Sequence, residues 1–83
     1  MPFYCYILEC ADGTFYTGWT TDPARREKQH NDGSGAKYTR ARRPVNLVYL
    51  EKFPSQPDAM KRERAIKNMS RERKLRLIGN ANE

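Results

Sequence analysis

Five side chains in this 83-residue chain could act together on a proton and an anion: Tyr6, Tyr16, Arg26, His30 and Glu63. The two tyrosines lie in short aromatic stretches, "FYCYIL" and "FYTGWT". Arg26 and His30, the only histidine, are four residues apart, one helical turn, and so share a helix face. A phenol with a pKa near 10 becomes a useful base only where cations favour phenolate, whereas histidine titrates in the range a proton relay needs. The arginine fork suits an anionic oxygen. Glu63 interrupts an apolar stripe of Ala59, Met60, Ile66 and the Lys67 stem. A carboxylate there needs a divalent metal, Arg26 or a lysine to face it. Packing offers the competing account: tyrosines suit strands, a polar helix can lie solvated, and an internal ion pair can absorb Glu63.

The register of a hairpin decides whether the tyrosines can meet. Asp12-Gly13 alone as the loop would put Tyr6 and Tyr16 on opposite faces. A three-residue loop, Ala11-Asp12-Gly13 with Gly13 in the left-handed region, sets Tyr6 opposite Gly18 and Tyr16 opposite Leu8. Both phenols then share a face, about 7–8 Å apart as diagonal neighbours. Gly18 opposite Tyr6 is expected to leave open space for a ligand to approach the backbone.

The positioning elements follow from local signals. Asp22 caps a helix with Pro23 at its first position, and Asn31, Asp32 and Gly33 stop it. This helix has almost no apolar side chain, so a docked helix must turn a polar face inward, with Arg26 and His30 the obvious candidates. "GSGAKYTRARRP" reads as a basic loop closed by Pro44, and "VNLVYLEKF" as a third strand ended by Pro54. Ser55 and Asp58 form a capping box for a helix through about Lys67. Ser70 caps a third, amphipathic helix expected to end at Gly79. The order β-β-α-β-α-α implies an α+β domain over residues 1–79, a small three-stranded antiparallel sheet flanked by helices, with a frayed tail over 80–83.

Composition bounds the function. Sixteen Lys and Arg against ten Asp and Glu give a net charge of +6, and the pI is near 9.6. An anionic partner is expected, nucleic acid first, although a basic surface also serves solubility. In the basic loop, Lys37, Arg40, Arg42 and Arg43 could track phosphates, with Tyr38 free to stack on a base or sugar. No run of about 18 apolar residues exists to span a membrane, and no basic region followed by an apolar stretch marks a signal peptide. Cys5 and Cys10, on one strand roughly 16 Å apart, cannot form a disulfide. Two separated cysteines and one histidine do not make a thiolate–imidazole metal site. Free thiols fit a reducing cytoplasm.

These residues resemble the GIY-YIG nuclease superfamily. Its first motif is similar to Tyr4-Cys5-Tyr6 and its second to Tyr16-Thr17-Gly18, while Arg26, His30 and Glu63 match its helical arginine, histidine and metal-binding glutamate. The similarity reaches to about Ile78. It is closest to small stand-alone bacterial members and to the catalytic domain of eukaryotic nucleases that cut branched DNA. Two departures stand out. Tyr4 replaces the leading glycine, and no asparagine matches the one many members carry after the glutamate: Asn68 comes too early, and Asn80 is expected past the last helix. The resemblance implies hydrolysis of DNA phosphodiester bonds, branched or damaged forms included, with Mg²⁺ or Mn²⁺ on Glu63 and with Tyr6, Tyr16, Arg26 and His30 catalytic. Tyr6 or Tyr16, with or without His30, would take the proton of the attacking water. The competing reading is a non-catalytic nucleic-acid-binding module that keeps the fold. A protein partner could supply specificity, and a monomer is the default.

Overall fold

Residues 2–81 are described by a computed structural model. They run β1 (Phe3–Cys10), β2 (Phe15–Thr20), α1 (Pro23–Asn31), α2 (Lys37–Arg40), β3 (Val45–Phe53), α3 (Gln56–Lys67) and α4 (Arg71–Ala81). The sheet order is β2-β1-β3 and both pairings are antiparallel. This is the expected α+β architecture, with one helical turn, α2, added inside the basic loop.

Central β1 is buried on both faces, and its period of two divides the core. Cys5 and Ile7 pack with Tyr49 and Ile66 on the face shared with α3 and α4. Tyr6, Leu8 and Cys10 pack with Val45 on the other, with Tyr16 and Leu47 against them. Both cysteines are free and buried, and burial pushes the Cys5 thiol up to about 12, which keeps it protonated and unreactive.

The hairpin adopts the three-residue loop. Gly13 has φ +84°, Cys10 N donates to Thr14 O at 2.8 Å and Gly13 N to Cys10 O at 2.9 Å. Tyr6 pairs with Gly18 and Leu8 with Tyr16. On the other side of β1, the register with β3 shifts between Ile7 and Leu8, with Val48 as the extra residue of a bulge.

Caps sit where the sequence signals place them. The Asp22 side chain accepts from Arg25 N, the Ser55 side chain from Asp58 N, and Ser70 Oγ from Arg73 N. Helix α4 continues through Gly79 to Ala81, so the expected stop at Gly79 and the frayed tail are corrected as far as Ala81. Residues 82 and 83 lie outside the described residues. Gly79 keeps an ordinary helical backbone with open space around it, and one glycine in an exposed helix costs about 1 kcal/mol, too little to end it. Asn80 therefore stands on the last turn of α4, exposed, and not beyond it.

Candidate active site

Helix α1 docks on the sheet through polar groups. Asn31 acts as a strand neighbour, donating from Nδ2 to Val45 O at 3.0 Å and accepting from Val45 N at 2.7 Å. Glu27 Oε2 accepts from Leu47 N at 2.6 Å. These contacts press His30 onto the sheet, where it is fully buried. The inward polar face is thus Glu27, His30 and Asn31, while Arg26 stands part-exposed at its rim.

His30 is bonded at both nitrogens. Its Nε2 lies 3.0 Å from Tyr6 Oη and its Nδ1 2.8 Å from Thr39 Oγ1. Thr39 Oγ1 gives its one proton to Ala36 O at 3.0 Å, so it must accept from His30 Nδ1–H. That assigns the tautomer: Nε2 carries the lone pair, and the Tyr6 hydroxyl donates to it. Burial, and then the nearby Arg26 charge, push the His30 pKa down to about 4, so the ring is neutral. Burial also raises the Tyr6 phenol to about 12, outweighing Arg26, which pulls it down. Arg26 thus meets only in part the condition that cations favour the phenolate: desolvation dominates, and the resting pair is a neutral phenol on a neutral imidazole.

Tyr16 is held by stacking. Its ring centroid is 5.1 Å from that of His30 and 5.9 Å from that of Tyr38. Arg42 lies over the Tyr38 ring, 4.0 Å from its centroid, donates from Nη1 to Tyr38 O at 2.8 Å, and ties back to Asp12 Oδ2 at 3.1 Å. The β1–β2 turn and the basic segment thereby pack onto Tyr38 and Tyr16, whose rings stack, and Tyr16 meets the His30 ring at a tilt of 57°.

Several expected roles change in this setting. The space over Gly18 is not open: the Tyr6 ring fills it, so that a Cβ there would sit 2.5 Å from Tyr6 Oη. Gly18 accommodates an aromatic ring across the strand pair and is no avenue for a ligand. Tyr38 is stacked on Tyr16 with Arg42 over its ring, and 39% of it stays exposed. Arg40 and Arg43 join Arg42 in bracing the segment, donating from Nε to Gly33 O at 3.2 Å and to Arg40 O at 2.8 Å. Lys37 is exposed on α2.

On α3 the buried stripe is Ala59 and Ile66. Met60 is 39% exposed, a quarter-turn or so round the helix from Ala59, and Arg62 turns toward the sheet, donating to Glu51 Oε2 at 3.1 Å. Glu63 is part-buried, with Lys67 Nζ at 3.9 Å. An i,i+4 contact to a half-exposed lysine is weak, so the carboxylate is not committed to it. Its charge reaches the β1 side chains, contributing to the raised pKa values of both Cys5 and Tyr6. No group of three or more His, Cys, Asp or Glu gathers among the described residues. A lone, loosely paired carboxylate fits Mg²⁺, which keeps most of its waters and takes one or two protein oxygens, better than it fits zinc.

Two contributors escaped the sequence reading, Thr39 and Gly35. Thr39 is fully buried as the partner of His30, and a Cβ on Gly35 would lie 2.5 Å from His30 Nδ1. Adjacency to Tyr38 and Arg40 was the one available hint for Thr39; neither residue has a local signature.

The GIY-YIG catalytic domain family matches residues 2–76. A UPF0213 protein of Streptococcus agalactiae is 55% identical over 78 residues, 94% of this chain and 89% of the relative. An archaeal one, from Halobacterium salinarum, is 55% identical over 75 residues, 90% of this chain and 97% of the relative. The solution structure of a UPF0213 protein from Bacillus halodurans superposes with a TM-score of 0.61 at 52% identity, covering 95% of this chain and 84% of that one. A second solution structure, of a protein from E. faecalis, gives 0.65 at 42% identity, covering 99% and 88%. With the motif tyrosines on one sheet face and the helical histidine bonded to the first of them, the chain belongs to the GIY-YIG catalytic domain family, among relatives named UPF0213.

Proposed function

We infer that the protein is a divalent-metal-dependent endonuclease that hydrolyses phosphodiester bonds in DNA, branched or damaged forms included. One observation carries the reading: a fully buried, hydrogen-bonded chain from Tyr6 through His30 to Thr39, with the Arg26 cation at its exposed end. Burying three polar side chains is costly, and a surface that only grips phosphates has no need of it. Arg26 holds a non-bridging oxygen of the target phosphate and draws Tyr6 toward phenolate. His30 Nε2 accepts the Tyr6 proton as Tyr6 takes one from water, and Thr39 keeps the imidazole turned for that transfer. Tyr16, fixed by the stack, walls the same space. Glu63 would hold the metal ion, which when bound offsets phosphate charge and assists the departing oxygen. Lys37 and the outer N–H groups of the bracing arginines face the strand.

The test is cutting of labelled single-stranded, duplex, flapped and four-way-junction DNA, plus RNA, in Mg²⁺, Mn²⁺ or EDTA. Metal-dependent cutting that disappears in Glu63→Ala supports the reading and names the substrate shape. Binding without cutting in every metal supports the non-catalytic alternative.

A further inference from the structure

Beside Arg26 opens a cleft that the reaction above does not use. Phe3 and Trp19 form one wall, ring centroids 6.4 Å apart and planes tilted 48°. Arg25 and Arg26 make the cationic side, and Gln29 and Gln56 bring amide groups from α1 and α3. Asp22, the acidic residue of the lining, is engaged as the α1 cap, accepting from Arg25 N at 3.2 Å. Gln29 Oε1 accepts from Arg26 Nη1 at 3.1 Å, which leaves its NH₂ group free to turn toward a ligand.

We propose that this cleft is a subsite for an unpaired nucleobase, next to the phosphate held by Arg26. The proposal rests on the nucleic-acid reading above and adds what part of the substrate is recognised. Aromatic faces accept any base by stacking, guanidinium groups take the flanking phosphates, and side-chain amides match the donor–acceptor edges of bases. An acidic peptide would use the arginines alone, and a paired base could not offer its face to a concave wall. Because Arg26 lines the cleft and also lowers the Tyr6 pKa, a base seated there sets the adjoining phosphate against the tyrosine face. Substrates with an unpaired nucleotide at the cut, such as flaps and bulges, are thereby selected over continuous duplex.

Trp19, the only tryptophan, is its own reporter. Its emission is followed in EDTA, where no metal supports cutting, as oligodeoxyuridylate or oligouridylate of about six nucleotides, which differ only in the sugar, or a blunt duplex, is added. Saturable quenching by the single strands is expected, with duplex binding at least about fivefold weaker. Quenching by either strand supports the subsite, and a difference between them names the sugar it accepts. By anisotropy of a labelled strand, Trp19→Ala should bind about tenfold more weakly than wild type and Trp19→Phe within about twofold of it. Binding without quenching, equal binding of duplex, or wild-type affinity in folded Trp19→Ala overturns the proposal. Should Trp19→Ala lose its circular dichroism, the wild-type titration decides alone. No binding of any strand together with no cutting in Mg²⁺ overturns both readings. Quenching in a protein that never cuts in Mg²⁺ keeps the subsite and removes the nuclease, and cutting without quenching does the reverse.

Discussion

A methyl group added at Gly18 would lie 2.5 Å from the Tyr6 oxygen and 2.7 Å from Cζ, atoms of a ring that is itself nearly fully buried and cannot swing aside. Gly18→Ala should therefore destabilise the fold by about 1–3 kcal/mol in urea unfolding, with Tyr6 lifted off His30. An unchanged midpoint would mean that the ring does not rest where it is described. The strand period and the one-turn spacing of Arg26 and His30 made the site's principal side chains legible by type and position alone. What the period of a strand cannot convey is which atom fills a gap between strands: it places Tyr6 opposite Gly18 but not the Tyr6 ring above it. Thr39 and Gly35 were not legible for a related reason. Their roles exist only once the chain after α1 folds back over His30.

The elements divide in the same way. Hairpin length followed from turn chemistry, since Gly13 supplies the left-handed residue that a three-residue loop needs. Helix starts followed from caps at Asp22, Ser55 and Ser70. The bulge at Val48, the helical turn α2 and the continuation of α4 through Gly79 had no such local marker, because each depends on what packs beside it. Docking of α1 depends on Asn31 holding both the N–H and the C=O of Val45. Asn31→Ala leaves those two backbone groups without that partner. It should cost about 1–3 kcal/mol and free the C-terminal turn of α1. Hydrogen exchange reads this directly: protection should fall in α1 and at Val45 while that of β1 and β2 stays high. Uniform loss across the sheet would contradict a local anchor.

Across the whole molecule, His30 couples folding to pH. Its folded pKa, about 4, lies below the value near 6.5 expected in an unfolded chain. Between those values the unfolded chain binds a proton that the folded one excludes, so stability falls as pH drops through that window and is fully present above it. The contribution amounts to at most about 3 kcal/mol. The decline in the urea midpoint from about pH 6.5 to 5, above the carboxylate range, is the part assigned to His30. A flat midpoint across that interval would show the imidazole to be accessible to protons. The net charge of +6 spreads attraction for polyanions over the surface, and Arg26 is the cation beside the buried Tyr6–His30–Thr39 hydrogen bonds. Whether hydrolysis takes place beside Arg26 is read from the single-turnover cutting rate in Mg²⁺ of wild type and of Arg26→Ala. Arg26 is part-exposed, so the variant should unfold at the wild-type midpoint while cutting roughly 10²–10³-fold more slowly. Equal rates in the two proteins would show that Arg26 takes no part in the cleavage.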